Sequence, residues 1–251
     1  MRRTLALTVG MLAVSVLVVI APPADAAPRT APGHDPVSHA TGVDTRAEQD
    51  AVRAFWTTKR MRDAVPMGPE RPLAEPGSAS GPEPGMSDPS LSTAWTVGRD
   101  TVGKVFFQLG SWIYVCSGNA VDDIEDAVAT PNLVVTAGHC VNDGGSTFAT
   151  NFLFVPRYDA TKPATSGQPL GTFAATRLTT TSQWAAQGSQ RFNFDVGMAL
   201  VGSNENGATL AAAIGGTSDI GFVSGDPGST GSVDYSETTH SFGYPAAAPY
   251  D

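Results

Sequence analysis

Positive charge is scarce in this chain. Its 251 residues carry 15 Lys and Arg against 24 Asp and Glu, a formal net charge of −9. From Thr96 to Asp251 there are 14 acidic and 6 basic residues, a net of −8. Such a surface repels a phosphate backbone, so nucleic acid is excluded as an expected partner. Charge of either sign is thin, at 16% of residues. Long surface helices carry many Glu and Lys, so a mainly helical fold is disfavoured against short strands joined by turns. Cysteine is limited to Cys116 and Cys140. No second Cys or His pair stands at ligand spacing, so no zinc site is expected, and neither metal nor cofactor is assigned. After the N-terminus no segment is long and apolar enough to span a bilayer.

The N-terminus holds the one long apolar run. Met1-Arg2-Arg3 is a positive n-region, Thr4 to Ala21 is rich in Leu, Val and Ala, and the stretch ends in an A-x-A pattern at Ala26. This reads as a signal peptide over 1–26, with a retained anchor as the alternative. Cleavage predicts a secreted, extracellular chain, free of the membrane, and expected to be a monomer. In that compartment a Cys116–Cys140 disulfide persists. It closes a loop of 24 residues, for which chain entropy gives roughly 3 kcal/mol.

Residues 27–95 differ in character from the rest of the chain. Val65 to Pro89 is dense in Pro and Gly and too poor in apolar residues to build a core. Before it, Thr45-Arg46-Ala47-Glu48 has the capping-box pattern. Val52, Phe55 and Trp56 share a helical face, Lys59, Arg60 and Arg62 fall in the last turn, and Pro66 closes the helix. A lone helix of this length is marginal in water, so it needs something to dock on. The arrangement predicts a pro-segment of one helix and a cuttable Pro/Gly-rich linker. A plain linker is the alternative.

From 96 onward strands dominate. Val102–Phe107, Trp112–Cys116, Leu133–Ala137, Phe152–Val155, Gly171–Leu178 and Val196–Val201 are β-branched or aromatic runs separated by turn residues. Six short strands predict an all-β sandwich or barrel. Trp95, Phe106, Phe107, Trp112 and Tyr114 are assigned to its core. A helical turn is allowed at Ala137–Val141, and Ser182–Gln187 is ambiguous.

Two stretches carry chemistry. In Leu133-Val-Val-Thr-Ala-Gly-His-Cys-Val141 an apolar strand ends in two small residues and a His, with a Cys behind it. A strand, a tight turn and a disulfide together hold an imidazole rigidly, as general-base work requires. In Phe192-Asn-Phe-Asp-Val-Gly-Met-Ala-Leu-Val201 one Asp stands at the mouth of an apolar strand. A partly buried carboxylate needs a partner, and the Nδ1–H of His139 suits Asp195.

The TAGHC segment at 136–140, the DVGMALV strand at 195–201 and Cys116 upstream of Cys140 resemble trypsin/chymotrypsin-like serine peptidases. The resemblance is nearest to the secreted bacterial branch that includes glutamyl endopeptidases. It covers roughly 96–251 and implies an antiparallel chymotrypsin-like β-barrel, polypeptide substrates, and catalytic roles for His139 and Asp195. Gly197 stands where the family usually has Ala, a departure read as harmless. Ser241 to Asp251 resembles the segment that opens the family's second barrel.

The family's nucleophile lies in a G-D-S-G-G or G-S-S-G-G type segment, and no such segment occurs here. Gly225-Asp-Pro-Gly-Ser-Thr-Gly231 puts Pro227 where the Ser belongs, and Asp-Pro-Gly reads as a turn, so Ser229 is not assigned as nucleophile. The oxyanion-hole amides belong to the same missing segment. The expectation is a precursor interrupted before its serine, with the first barrel whole, the second mostly absent, and the chain as written inactive and poorly stable. The competing reading is a secreted pseudopeptidase or binding module. Activation is expected between Trp95 and Thr101. The pocket that selects the substrate side chain comes mostly from the second barrel in this family, so no preference is assigned.

Asp122, Asp123, Glu125 and Asp126 are read as a solvated loop, since their spacing fits no calcium loop. His240 is taken as a strand residue, and His34 and His39 carry no signal.

Overall fold

The computed structural model describes residues 35–67, 99–122, 132–165, 167–187, 193–219 and 243–244. The expected signal peptide and nearly all of the Pro/Gly-rich linker lie outside these ranges, as do Trp95, Ser229 and the residues that open the expected second barrel, apart from Gly243 and Tyr244.

Six strands form the body. They are β3 (Val102–Leu109), β4 (Trp112–Asp122), β5 (Leu133–Thr136), β6 (Thr150–Pro156), β7 (Phe173–Thr180) and β8 (Gly197–Val201). Hydrogen bonding runs β7-β6-β3-β4-β5-β8, and β8 pairs back onto β7. The six pairings are antiparallel. The sheet is therefore a closed six-stranded barrel, and each of the six sequence-predicted runs supplies one strand. Each of the six strands pairs with a neighbour on both sides, although β5 meets only Asn119–Val121 of β4 and β6 meets β7 at only two residues.

Side chains alternate between the faces of a strand, so register decides which residues meet. Val105 is opposite Cys116 and Phe154, while Phe107 is opposite Tyr114. These face the interior with Val134, Phe152, Phe173, Leu178 and Ala199, all buried except the partly buried Cys116. The neighbouring positions Phe106, Val115, Leu153 and Val155 point outward, yet are also buried. An N-terminal layer covers them.

That layer comprises β1 (Val37–Ala40), α1 (Arg46–Phe55), α2 (Thr58–Asp63) and the two-residue β2 (Val65–Pro66). β1 adds to the outer edge of β7. The capping box forms as the sequence predicts: Glu48 N–H donates to Thr45 Oγ1 at 3.3 Å, and Thr45 N–H donates to Glu48 Oε2 at 2.7 Å. The single expected helix is in fact two. The chain leaves helical geometry at Trp56, and Thr57 caps a second helix by accepting from Arg60 N–H at 3.2 Å. The break turns Trp56 into the core, where it is 1% exposed and its indole N–H donates to Asn151 O at 2.6 Å. Val52, Trp56 and Met61 pack on Phe106, Leu153 and Val155. Each fully buried side chain of this size adds about 1.5–3 kcal/mol relative to exposure.

Arg53 rivets this layer to the barrel. It is 5% exposed and pairs with Asp50 at 2.7 Å, with its guanidinium also donating to Thr172 O and Ser203 O.

Several sequence expectations need correction. Trp112 is 36% exposed, because it opens β4 beside the Gly110–Ser111 turn. Phe106 is core, but on the outside of the barrel under Trp56. Asp122 ends β4 and pairs in register with Asp219 of β9 (Ser218–Asp219), so it is strand and not loop; Asp123, Glu125 and Asp126 lie outside the described residues. Ser182–Gln187 forms the helix α3, and Leu210–Ile214 forms α4, which sequence periodicity did not reveal. Among the described residues no helix is long and apolar enough to cross a membrane.

Candidate active site

β5 ends at Thr136, and the chain turns through a single 3-10 turn at Gly138–Cys140. The turn is closely packed at Gly138. A Cβ there would stand 3.0 Å from Asp195 Oδ1, Thr180 Oγ1 and Trp184 Cγ. Behind His139, Cys140 is joined to Cys116 of β4. The turn is thus tied at one end by β5 and at the other by a covalent link to a barrel strand, which restricts the imidazole as sequence reasoning anticipates.

Asp195 reaches the same place from the opposite side. It lies two residues before β8, in a loop clamped by β7: Thr180 Oγ1 donates to Val196 O at 2.9 Å, and Thr181 Oγ1 donates to Phe194 O at 2.7 Å. β8 pairs with β5 so that Gly197 is opposite Thr136. That pairing brings the two short connections together.

The carboxylate then meets His139 twice. Oδ2 accepts from ring Nδ1 at 2.7 Å, and Oδ1 accepts from the His139 main-chain N–H at 2.7 Å. The side chains are 12% and 14% exposed, so water competes little for either bond. A carboxylate can only accept, so it fixes hydrogen on Nδ1 and leaves Nε2 for other work. Trp184 of α3 walls the site, its ring 6.3 Å from that of His139 and its N–H bonded to Asn142 O at 3.0 Å.

Nε2 faces the main-chain carbonyl of Met67, at 3.1 Å, and that carbonyl, not a hydroxyl, is its partner among the described residues. His39 is in β1, stacked on Phe148 and away from the pair. Sequence reasoning missed Met67, Thr180, Thr181 and Trp184. The Thr pair and the Trp carry no pattern of their own, because their roles come from register across β7 and β8. The sulfurs of Cys116 and Cys140 cluster with His139, but they are bonded to each other and cannot act as thiolate donors.

No protein-family model matches the sequence, and no curated protein matches it. Solved structures similar to parts of it include two proteases. One is the protease Anisep from Arthrobacter nicotinovorans, 37% identical over 51% of this chain and 52% of that one, with a TM-score of 0.42. The other is the thermostable serine protease AL20 from an extremophilic microorganism, 33% identical over 61% of each chain, with a TM-score of 0.44. Both are proteases. The chain spans a little over half the length of each.

Chemically, the arrangement is an oriented imidazole with one nitrogen held by a carboxylate and the other against the Met67 carbonyl. It can remove a proton from a hydroxyl placed at Nε2 and return it to a leaving group.

Proposed function

We propose that this chain is the precursor of a secreted serine endopeptidase of the trypsin-like kind, carrying the general base and its orienting acid. The double grip of Asp195 on His139 is the observation that supports this reading most. In the proposed reaction a serine hydroxyl attacks the peptide carbonyl while His139 Nε2 takes its proton. Asp195 stabilises the imidazolium that forms. The C–N bond of the tetrahedral intermediate then breaks as His139 gives that proton to the leaving amine, and an acyl-enzyme is left for water to hydrolyse. No G-D-S-G-G type segment is present in the sequence, so in this reading the nucleophile and oxyanion hole are not supplied by this chain. Residues 27–95 act as the pro-segment.

The test is fluorophosphonate labelling of the secreted product of the complete reading frame, alongside the 251-residue chain. A labelled serine in a Gly-Ser/Asp-Ser-Gly-Gly segment, lost on His139→Ala, is expected. No label in either product, from a folded monomer, would favour a pseudopeptidase or binding module. A label on Ser229 of the short chain would mean that the nucleophile has been misassigned.

A further inference from the structure

The contact between Met67 and His139 is built, and the proposed reaction has no use for it. β4 is paired by β3 along Trp112–Asn119, but β5 covers its other edge only at Asn119–Val121. Among the described residues, the stretch around Tyr114 and Val115 therefore has no barrel strand on that edge, the place where a further strand adds most readily. Val65 and Pro66 fill it in parallel register, opposite Tyr114 and Val115. Met67 N–H continues the ladder by donating to Val115 O at 3.2 Å. The Met67 side chain is 7% exposed and belongs to the barrel's interior cluster with Tyr114 and Cys140. Its carbonyl is left pointing at His139 Nε2, 3.1 Å away.

A carbonyl accepts and never donates. The bond to Met67 O therefore requires hydrogen on Nε2, while the bond to Asp195 Oδ2 requires hydrogen on Nδ1. Both bonds exist together only when the ring is the doubly protonated imidazolium, which has no lone pair with which to take a proton. The same strand fills the space a serine hydroxyl would need.

We propose that Val65–Met67 is an inhibitory strand that holds the His139–Asp195 pair switched off in the precursor. The inference rests on the peptidase reading of that pair. It also means that cutting the chain between 68 and 98 does not by itself release His139. Trp56, Met61 and Arg53 keep the N-terminal layer docked, so the strand has to be peeled from β4.

The experiment uses the 251-residue chain and diethyl pyrocarbonate, which modifies neutral imidazole nitrogen, with each His followed by peptide mass spectrometry. Carbethoxylation of His139 should be at least tenfold slower in the wild type than in Met67→Pro, which lacks the N–H that bonds Val115. Equal rates in a folded Met67→Pro overturn the proposal. The indole N–H signal of Trp56, bonded to Asn151 O, reports folding of the variant. Nitrogen-15 NMR of the wild-type ring decides the matter even if the variant fails to fold. Both His139 nitrogens should be of the protonated kind, and a bare Nε2 overturns the inference. A capped Nε2 in a protein that takes no fluorophosphonate even when Met67→Pro has freed His139 would sink the peptidase reading alone. A bare Nε2 in one that labels would sink the inhibitory strand alone.

Discussion

Asp195 holds His139 by two separate hydrogen bonds of 2.7 Å, one to the ring and one to the main chain. The second bond is the less obvious. It fixes the peptide that carries the imidazole, so the carboxylate sets the position of the base as well as its tautomer.

Asp195→Asn separates those effects. Asparagine keeps one acceptor oxygen, but it presents an N–H₂ group to the other donor. If Oδ1 keeps the main-chain bond, the amide N–H₂ faces Nδ1 and drives the ring to the tautomer with hydrogen on Nε2. Charge-assisted bonds are worth more than neutral ones, so stability should fall by about 2 kcal/mol in urea unfolding. On the proposed peptidase reading, turnover by a form that carries the serine should drop by about 10⁴-fold, the cost of the wrong tautomer in such a triad. A variant as stable and as active as the wild type would show that Asp195 is a bystander.

The relation between Gly197 and Ala137 supplies a second test. A Cβ on Gly197 would stand 2.4 Å from Ala137 O and 2.9 Å from Val141 Cγ2. Read from sequence, glycine here is a harmless departure from alanine; in this backbone it is what lets β8 approach the His turn. Gly197→Ala should cost about 1–3 kcal/mol, the usual penalty of overpacking. The urea midpoint should fall with the slope unchanged, since the surface exposed on unfolding is the same. An unchanged midpoint would mean that β8 shifts aside freely.

Legibility in the sequence divides along physical lines. The six barrel strands were legible because each is a run of β-branched or aromatic residues bounded by turn residues, and the capping box at Thr45 because its signal is local. His139 and Asp195 were legible because a small-residue turn and a lone carboxylate in an apolar strand are unusual locally. Met67 was not, because it acts through a main-chain carbonyl that any residue possesses. The break at Trp56 and the register that lets Thr180 and Thr181 clamp the Asp loop arise from tertiary packing, which overrides local pattern. Arg53 sits beside Val52 on α1, and nothing in its neighbours along the chain announces the two buried carbonyls it serves.

Arg53 is the third test. Arg53→Met keeps the apolar stem but removes the donors to Thr172 O and Ser203 O. Those acceptors and Glu205, 4.0 Å away, would be left without their cation in a partly buried site. A loss of about 3 kcal/mol is expected in denaturant unfolding. Asp50→Ala removes a partner that is 50% exposed, and should cost clearly less than Arg53→Met. Equal effects would show that Arg53 works through its surface pair and not through the carbonyls beneath it.

Tyr244 gives a pH signature. Its main-chain N–H donates to Ser117 Oγ at 2.8 Å, and its ring meets Tyr158 edge-on with centroids 6.4 Å apart. Burial pushes the phenol up from 10.0 to about 12, against weaker opposing effects of the Tyr158 backbone and Arg157. Raising the folded-state value of an acid means that the folded state keeps its proton longer than the unfolded state. The associated stability is fully present below the ordinary tyrosine range and is lost as pH rises through that range to about 12. Tyr114 and Tyr158 are also raised by burial, so the assignment needs a difference measurement. Ultraviolet titration of the wild type minus Tyr244→Phe should show one phenol with a midpoint near 12. The variant's stability should fall less steeply over that interval. A difference titration centred at the ordinary tyrosine value would show that residues 243–244 do not rest against β4 in solution.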